Sequence, residues 1–233
     1  MKRPLHLAIF GNPELRDAAR QPLPFRTKKQ LGLLVYLALE AQQRGVPRDV
    51  LIELLWSDAH PERARHSLSQ GLSTIRDKLG NDAVTRGAGP VHLLYELPTD
   101  LDLVVVGETL PIDLEHPLRE LEHCAGPAFA HWVDSARVRC LKAARHALSE
   151  QLQTARSEGD VRLVHERAAQ LYSVDPLSDA AVHALAERLL LEDDSVGAIR
   201  LLQSHVKRAK KELGCNPHQD VERLLRRLEN GTS

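Results

Sequence analysis
From Leu54 to Gly80 the chain reads as the apolar end of one helix, a tight corner, and a second helix that opens on Pro61. Proline is tolerated at a first helical position because that amide has no intrahelical partner to lose. Beyond it Leu68, Leu72, Ile75 and Leu79 recur at helical spacing and make one narrow apolar stripe, after which Gly80 supplies a stop. The opposite face carries Arg65, His66, Ser69, Gln70, Ser73 and Asp77, side chains short or polar enough to read base edges in a duplex groove. Next come Ala83-Val84-Thr85-Arg86, the turn Gly87-Ala88-Gly89-Pro90, and Val91-His92-Leu93-Leu94, the pattern of a β-hairpin. Helix, corner, helix and hairpin in this order predict a winged helix-turn-helix that contacts DNA.

The segments before this motif fit an α+β domain spanning residues 1–98. Short apolar runs alternate with turn signals over residues 5–26, which favours a small antiparallel sheet. Thr27 can cap a helix running to about Gln43, with Leu31, Leu34, Val35 and Ala38 on one face. Gly45 ends it, Pro47 opens the next, and Val50, Leu51, Leu54 and Leu55 are the expected buried side of that second helix. Residues 99–116 are expected to form a linker, in which Leu101–Val106 is either a strand or an extended connector. From Pro117 onward the pattern is helical without strand candidates. The helix starts at Asp160 and Asp194 are 34 residues apart, the period of tetratricopeptide repeats. Val161–Tyr172 with Leu177–Leu190, and Val196–Leu213 with His218–Leu228, would be the helix pairs, and a long helix around Val133–Ala155 would supply a third layer. Residues 117–233 therefore predict an all-α, tetratricopeptide-like domain.

Composition excludes other classes. Hydrophobic residues at 42% and charged residues at 27% are those of a globular protein. The longest apolar runs, Leu31–Leu39 and Leu101–Val106, are too short to span a bilayer, and Met1–Leu7 lacks the apolar core of a secretory signal. Cys124, Cys140 and Cys215 are odd in number and widely spaced, which implies free thiols and a cytoplasmic location rather than a disulfide framework. The net charge of −1 hides an asymmetry: residues 1–98 hold 14 Lys and Arg against 10 Asp and Glu, the remainder 17 against 22. A mildly basic half precedes an acidic one.

No catalytic constellation emerges. Gly87-Ala88-Gly89 lacks the strand, helix and lysine of a phosphate loop, and no Gly-x-Ser-x-Gly or His-Glu-x-x-His is present. His123, Cys124 and His131 fit no standard zinc spacing, so no metal and no cofactor is expected. Trp56 and Trp132 are expected to pack at element junctions. The candidate site is a DNA surface. Arg63, Arg65, Arg76 and Arg86 are candidate phosphate clamps, Gln70 and Ser73 base readers, and His66, Ser69 and Thr85 further contacts.

Several segments resemble the Streptomyces antibiotic regulatory protein family of bacterial transcriptional activators. Phe25–Leu39 is similar to that family's first helix, Leu54–Gly80 to its second and recognition helices, and Val84–Gly87 to its wing. Phe129–Arg137 resembles the entry to its bacterial transcriptional activation domain, and Val174–Ala181 and Lys211–Pro217 resemble later landmarks of that domain. In order, these cover nearly the whole chain. The resemblance implies an OmpR-like winged helix fused to a tetratricopeptide-like domain, binding direct repeats in double-stranded DNA near promoters, as a homodimer on DNA, and recruiting RNA polymerase. Where relatives carry more arginine, the reading face here has Ser69, Ser73 and Asp77. Larger members append ATPase or sensor domains, and the chain is equally consistent with the front part of such a protein. Two alternatives stay open: a repressor using the same contacts, and an adaptor whose helical-repeat groove binds a peptide. Convergence of Arg65, Arg86, Lys28 and Lys29 on the reading helix would favour DNA; neutralisation of that surface by Glu62, Asp77 and Asp82 would favour the adaptor.

Overall fold
The computed structural model describes residues 5–41, 44–108, 114 and 116–231. The chain divides into two compact units, Met1–Cys140 and Leu141–Ser233. In the first, β1 (His6–Ala8) pairs antiparallel with β2 (Glu14–Arg16), Leu7 opposite Leu15. Both leucines are buried while His6, Glu14 and Arg16 stay partly exposed, the alternation expected of a half-buried sheet. The small antiparallel sheet expected over residues 5–26 is thus two-stranded, extended by a bridge between Arg16 and Pro22.

Helix α1 (Lys28–Glu40) starts at Thr27, whose hydroxyl accepts from the Gln30 amide at 3.3 Å and satisfies one orphan donor of the first turn. Its expected extension to Gln43 lies outside the described residues. Helices α2 (Arg48–Trp56) and α3 (Pro61–Leu79) follow, and both pack with α1. α3 buries Ala64, Leu68, Gly71, Leu72, Ile75 and Leu79, so the apolar stripe faces inward as its spacing predicts. α2 buries Leu51, Leu55 and Trp56, but Val50 is 42% exposed, one step off the face that meets α3. Gly80 ends α3 at φ 111°, ψ 152°, a conformation essentially confined to glycine.

The hairpin after α3 is held by isolated bridges rather than long strands. Val84 faces Leu93, and Val91 faces Val46. The Thr85 hydroxyl donates to the Pro90 carbonyl and accepts from the His92 amide, each at 3.0 Å.

Within the segment expected as a linker, residues 100–105 are helical instead. Leu101–Val106 has strand-like composition, yet α4 (Asp100–Val105) forms there, because Thr99 and Asp102 make a reciprocal capping box. Asp100 is 3% exposed, and its carboxylate accepts from the backbone amides of Ile9 (2.8 Å) and Phe10 (3.1 Å), with His6 Nε2 at 2.9 Å. Phe10 bridges Pro117, and Leu118 donates to the Ile9 carbonyl at 2.7 Å. Helix α5 (Pro127–Glu158) contributes Phe129, wholly buried, whose ring lies against Gly32 of α1. Trp132 stacks at a tilt on Tyr36 and Phe129 and donates to Glu40 at 2.9 Å. The first compact unit therefore runs past residue 98 to Cys140, and the boundaries expected at 98 and 116 do not mark its end.

Burial pushes the thiols of Cys124 and Cys140 up to about 11, whereas Cys215 is exposed. Titration of the native chain with a thiol reagent near neutral pH is expected to label one cysteine of three rapidly, because only thiolate reacts and the other two are both buried and protonated. Rapid labelling of Cys124 or Cys140 would contradict this.

The second unit comprises the end of α5, then α6 (Val161–Val174), α7 (Asp179–Leu191), α8 (Ser195–Glu212) and α9 (Gln219–Gly231). Asp160, Ser178 and Asp194 cap α6, α7 and α8 by accepting the amides of Leu163, Ala181 and Gly197. α7, α8 and α9 share a core of Val182, Ala186, Ala198, Leu202, Val221 and Leu224. Its edge is polar: buried His205 places Nε2 2.5 Å from Asp179 Oδ1, and Asp179 Oδ2 accepts the His218 amide at 2.9 Å. The described residues are thus mostly helical with one small sheet, and no described helix is long and apolar enough to cross a membrane.

Candidate nucleic-acid interface
α3 presents two polar faces above its buried stripe. His66, Gln70, Ser73 and Asp77 follow at i, i+4, i+7 and i+11, so they form one outward ridge, and all four are exposed. Arg65, Ser69 and Arg76 lie on the flank that faces the hairpin. There two clefts adjoin. One, of about 530 Å³, is lined by residues including Arg48, Arg65, Ser69 and the turn Gly87–Pro90. The other, of about 500 Å³, is lined by residues including Ser73, Arg76, Asp77, Asn81 and Arg86. Arg48, Ser69 and Gly87 border both, which makes one groove between α3 and the hairpin turn.

Four guanidinium groups, from Arg48, Arg65, Arg76 and Arg86, line this groove. None of the four is ion-paired with a described residue. Arg48 is tied only through its Nε, which donates to the Gly89 carbonyl at 3.3 Å and leaves the fork of the guanidinium uncommitted. Four positive charges against two lining carboxylates, Asp49 and Asp77, leave the groove with a positive excess suited to phosphate.

The expected site residues separate into four groups. Arg65, Ser69, Ser73, Arg76 and Arg86 are brought together. His66 and Gln70 stand on the ridge, where Gln70 Nε2 meets His66 Nε2 at 2.9 Å, so the two act as a pair. Arg63 is exposed but lines neither cleft. The Thr85 hydroxyl is consumed within the hairpin, which makes it a staple for the turn rather than a free donor. Lys28 and Lys29 do not join the groove: they pair with Glu120 and Asp58 at 3.1 and 3.4 Å. Sequence reasoning missed Arg48, since only the fold brings the start of α2 against the turn at Gly89. Its position beside the helix-opening Pro47 was the available signal.

Compared with models of protein families and with curated proteins, the chain matches none. Among solved structures it is similar to Mycobacterium tuberculosis EmbR in complex with a low-affinity phosphopeptide. The TM-score is 0.60 at 17% identity, over 99% of this chain and 66% of that one. The two share a fold. This chain spans about two thirds of the length of the EmbR chain it matches.

Proposed function
We propose that the chain is a sequence-specific DNA-binding transcriptional regulator of the Streptomyces antibiotic regulatory type, an activator that sits on direct repeats near promoters. In this reading α1 to α3 and the hairpin are an OmpR-like winged helix, the second unit is tetratricopeptide-like, and the partners are duplex DNA and RNA polymerase. The observation that carries it is the groove: four arginines without an ion pair among the described residues, beside an exposed helix ridge of His66, Gln70, Ser73 and Asp77. Cations on the flank would hold phosphates and fix register, while the ridge would meet base edges. The fold shared with EmbR agrees with this assignment. Selection of bound sequences from random duplex DNA with the purified chain tests it; recovery of no enriched motif would overturn sequence-specific binding.

One substitution separates reading from holding. Glutamine pairs bidentately with adenine, a contact worth about 1–3 kcal/mol against the wrong base. Gln70→Ala is therefore expected to relax preference at one base position and to spare binding to unrelated duplexes. His66 spends one Gln70 amide hydrogen and leaves the other hydrogen and the oxygen for the base, so His66→Ala should weaken the same preference by a smaller factor. Titration of both variants on matched and mismatched duplexes checks this. A uniform loss of affinity would show that the ridge does not read bases.

The adaptor reading rests on Asp77, which lines the groove beside Arg76 and weakens its positive field. Absence of duplex binding together with retention of a peptide ligand would favour it.

A further inference from the structure
α8 has two faces of opposite character. Ala198, Leu202, His205 and Ala209 are buried in the second unit. On the far side Arg200, Ser204, Lys207 and Lys211 follow at i, i+4, i+7 and i+11, every one exposed, with Lys210 and the half-exposed Arg208 on the flanks. From Ser195 to Lys211 the helix contains no acidic residue, and none of these five cations is ion-paired with a described residue. Lys210 and Lys211 lie in the last turn, where they complement the negative end of the helix dipole. That accounts for neither Arg200 nor Lys207, which lie before that turn. Nor does composition, because residues 99–233 are acidic on balance.

We propose that this ridge is a second contact for the phosphate backbone of duplex DNA, engaged on sequence flanking the site read by the first unit. The inference rests on the DNA-binding reading of that unit. Charge complementarity and residue type select the occupant. Lysine is depleted at protein–protein interfaces, whose energy comes from buried aromatic and apolar anchors, and the central stretch from Arg200 to Lys211 presents none. Lysine, arginine and serine hydroxyls are common phosphate ligands. Arg200 and Lys211 are separated by about 16 Å along the helix axis at 1.5 Å per residue. A duplex carries one charge per about 1.7 Å of its axis, so several phosphates lie within that span. Backbone contacts carry no sequence information, so the ridge adds affinity and leaves the recognised motif unchanged.

The test uses the full chain and mixed-sequence duplex DNA, short and long, titrated over a range of salt. The triple variant R200A/K207A/K211A replaces exposed side chains only. It is expected to lower the slope of log affinity against log salt on the long duplex by about two to three, at about 0.9 per contact. On a duplex too short to reach the ridge the slope should not change. An unchanged slope on the long duplex, with a lowered slope for R65A/R86A, overturns the ridge and leaves the first unit's reading intact. Loss of binding in the triple variant but not in R65A/R86A supports the ridge and removes the groove reading. Failure of the unaltered chain to bind any duplex at low salt overturns both. If the triple variant binds DNA normally but no longer binds polyglutamate, the occupant is an acidic protein segment and the proposal fails.

Discussion

Replacing Arg65 and Arg86 together by alanine is expected to weaken binding to all duplexes alike and to lower the salt slope by about two, one for each phosphate left without its arginine. Both side chains are exposed and line the groove from opposite ends, Arg65 beside the hairpin turn and Arg86 beside Arg76 and Asn81. Neither takes part in an ion pair or hydrogen bond with a described residue, so the fold loses little and stability should change by no more than about 0.5 kcal/mol. Arg48 is a poorer choice for this test, because its removal also releases the Gly89 carbonyl and loosens the turn. Affinities measured from roughly 50 to 200 mM salt, with a thermal melt alongside, read both quantities. A slope that stays put would mean these arginines do not meet phosphate. A changed sequence preference would mean they read bases.

The largest stability effect is expected at Asp100. Its carboxylate is the acceptor for two amides, Ile9 and Phe10, in a region closed to water. Asp100→Ala leaves both donors without a partner, at about 1–3 kcal/mol for each, so the first unit should lose about 2–6 kcal/mol. Asp100→Asn keeps a carbonyl oxygen in place but presents an amide group on the side of His6, and should cost less. Denaturant melts of the two variants against the unaltered chain give the comparison. A loss below about 1 kcal/mol for the alanine variant would mean that water or another group takes over both amides. The same carboxylate predicts the outcome of a truncation. A fragment ending at Pro98 discards Asp100, the Pro117 bridge and Phe129, and is expected to fold poorly, whereas one ending at Cys140 keeps the whole core.

Local signals were legible where they agreed with the tertiary environment. The stripe Leu68, Leu72, Ile75 and Leu79, the Pro61 start, the Gly80 stop and the aspartate-capped starts of α6 and α8 all lie where spacing and capping place them. α4 misled because Leu101–Val106 is rich in β-branched residues. The features that decide it are the Thr99–Asp102 box and the ties of Asp100 to Ile9 and Phe10, which reach across 91 and 90 positions of chain. The end of the first unit was hidden for a related reason: Phe129 belongs to a helix that reads as part of the repeat module. In the groove, the α3 and hairpin residues were legible because they share one contiguous motif. Arg48 was not, and neither was the diversion of Lys28 and Lys29 to Glu120 and Asp58, since pairing across the fold leaves no local trace.

The matched caps of α6 and α8 have a consequence for how this chain can change length. Asp160 and Asp194 open the two helices with the same bond, and at the same offset the buried Val164, Ala168 and Leu171 correspond to Ala198, Leu202 and His205. Two steps of a staircase thus share one tread, with His205, tethered to Asp179, as the only polar board among those three pairs. In an array of the proposed tetratricopeptide-like kind each step leans chiefly on its neighbours. In that reading a copy of residues 160–193 spliced in after Asp193 would bring its own opening bond and its own inward face, so the chain could change length by whole steps without remaking the buried faces.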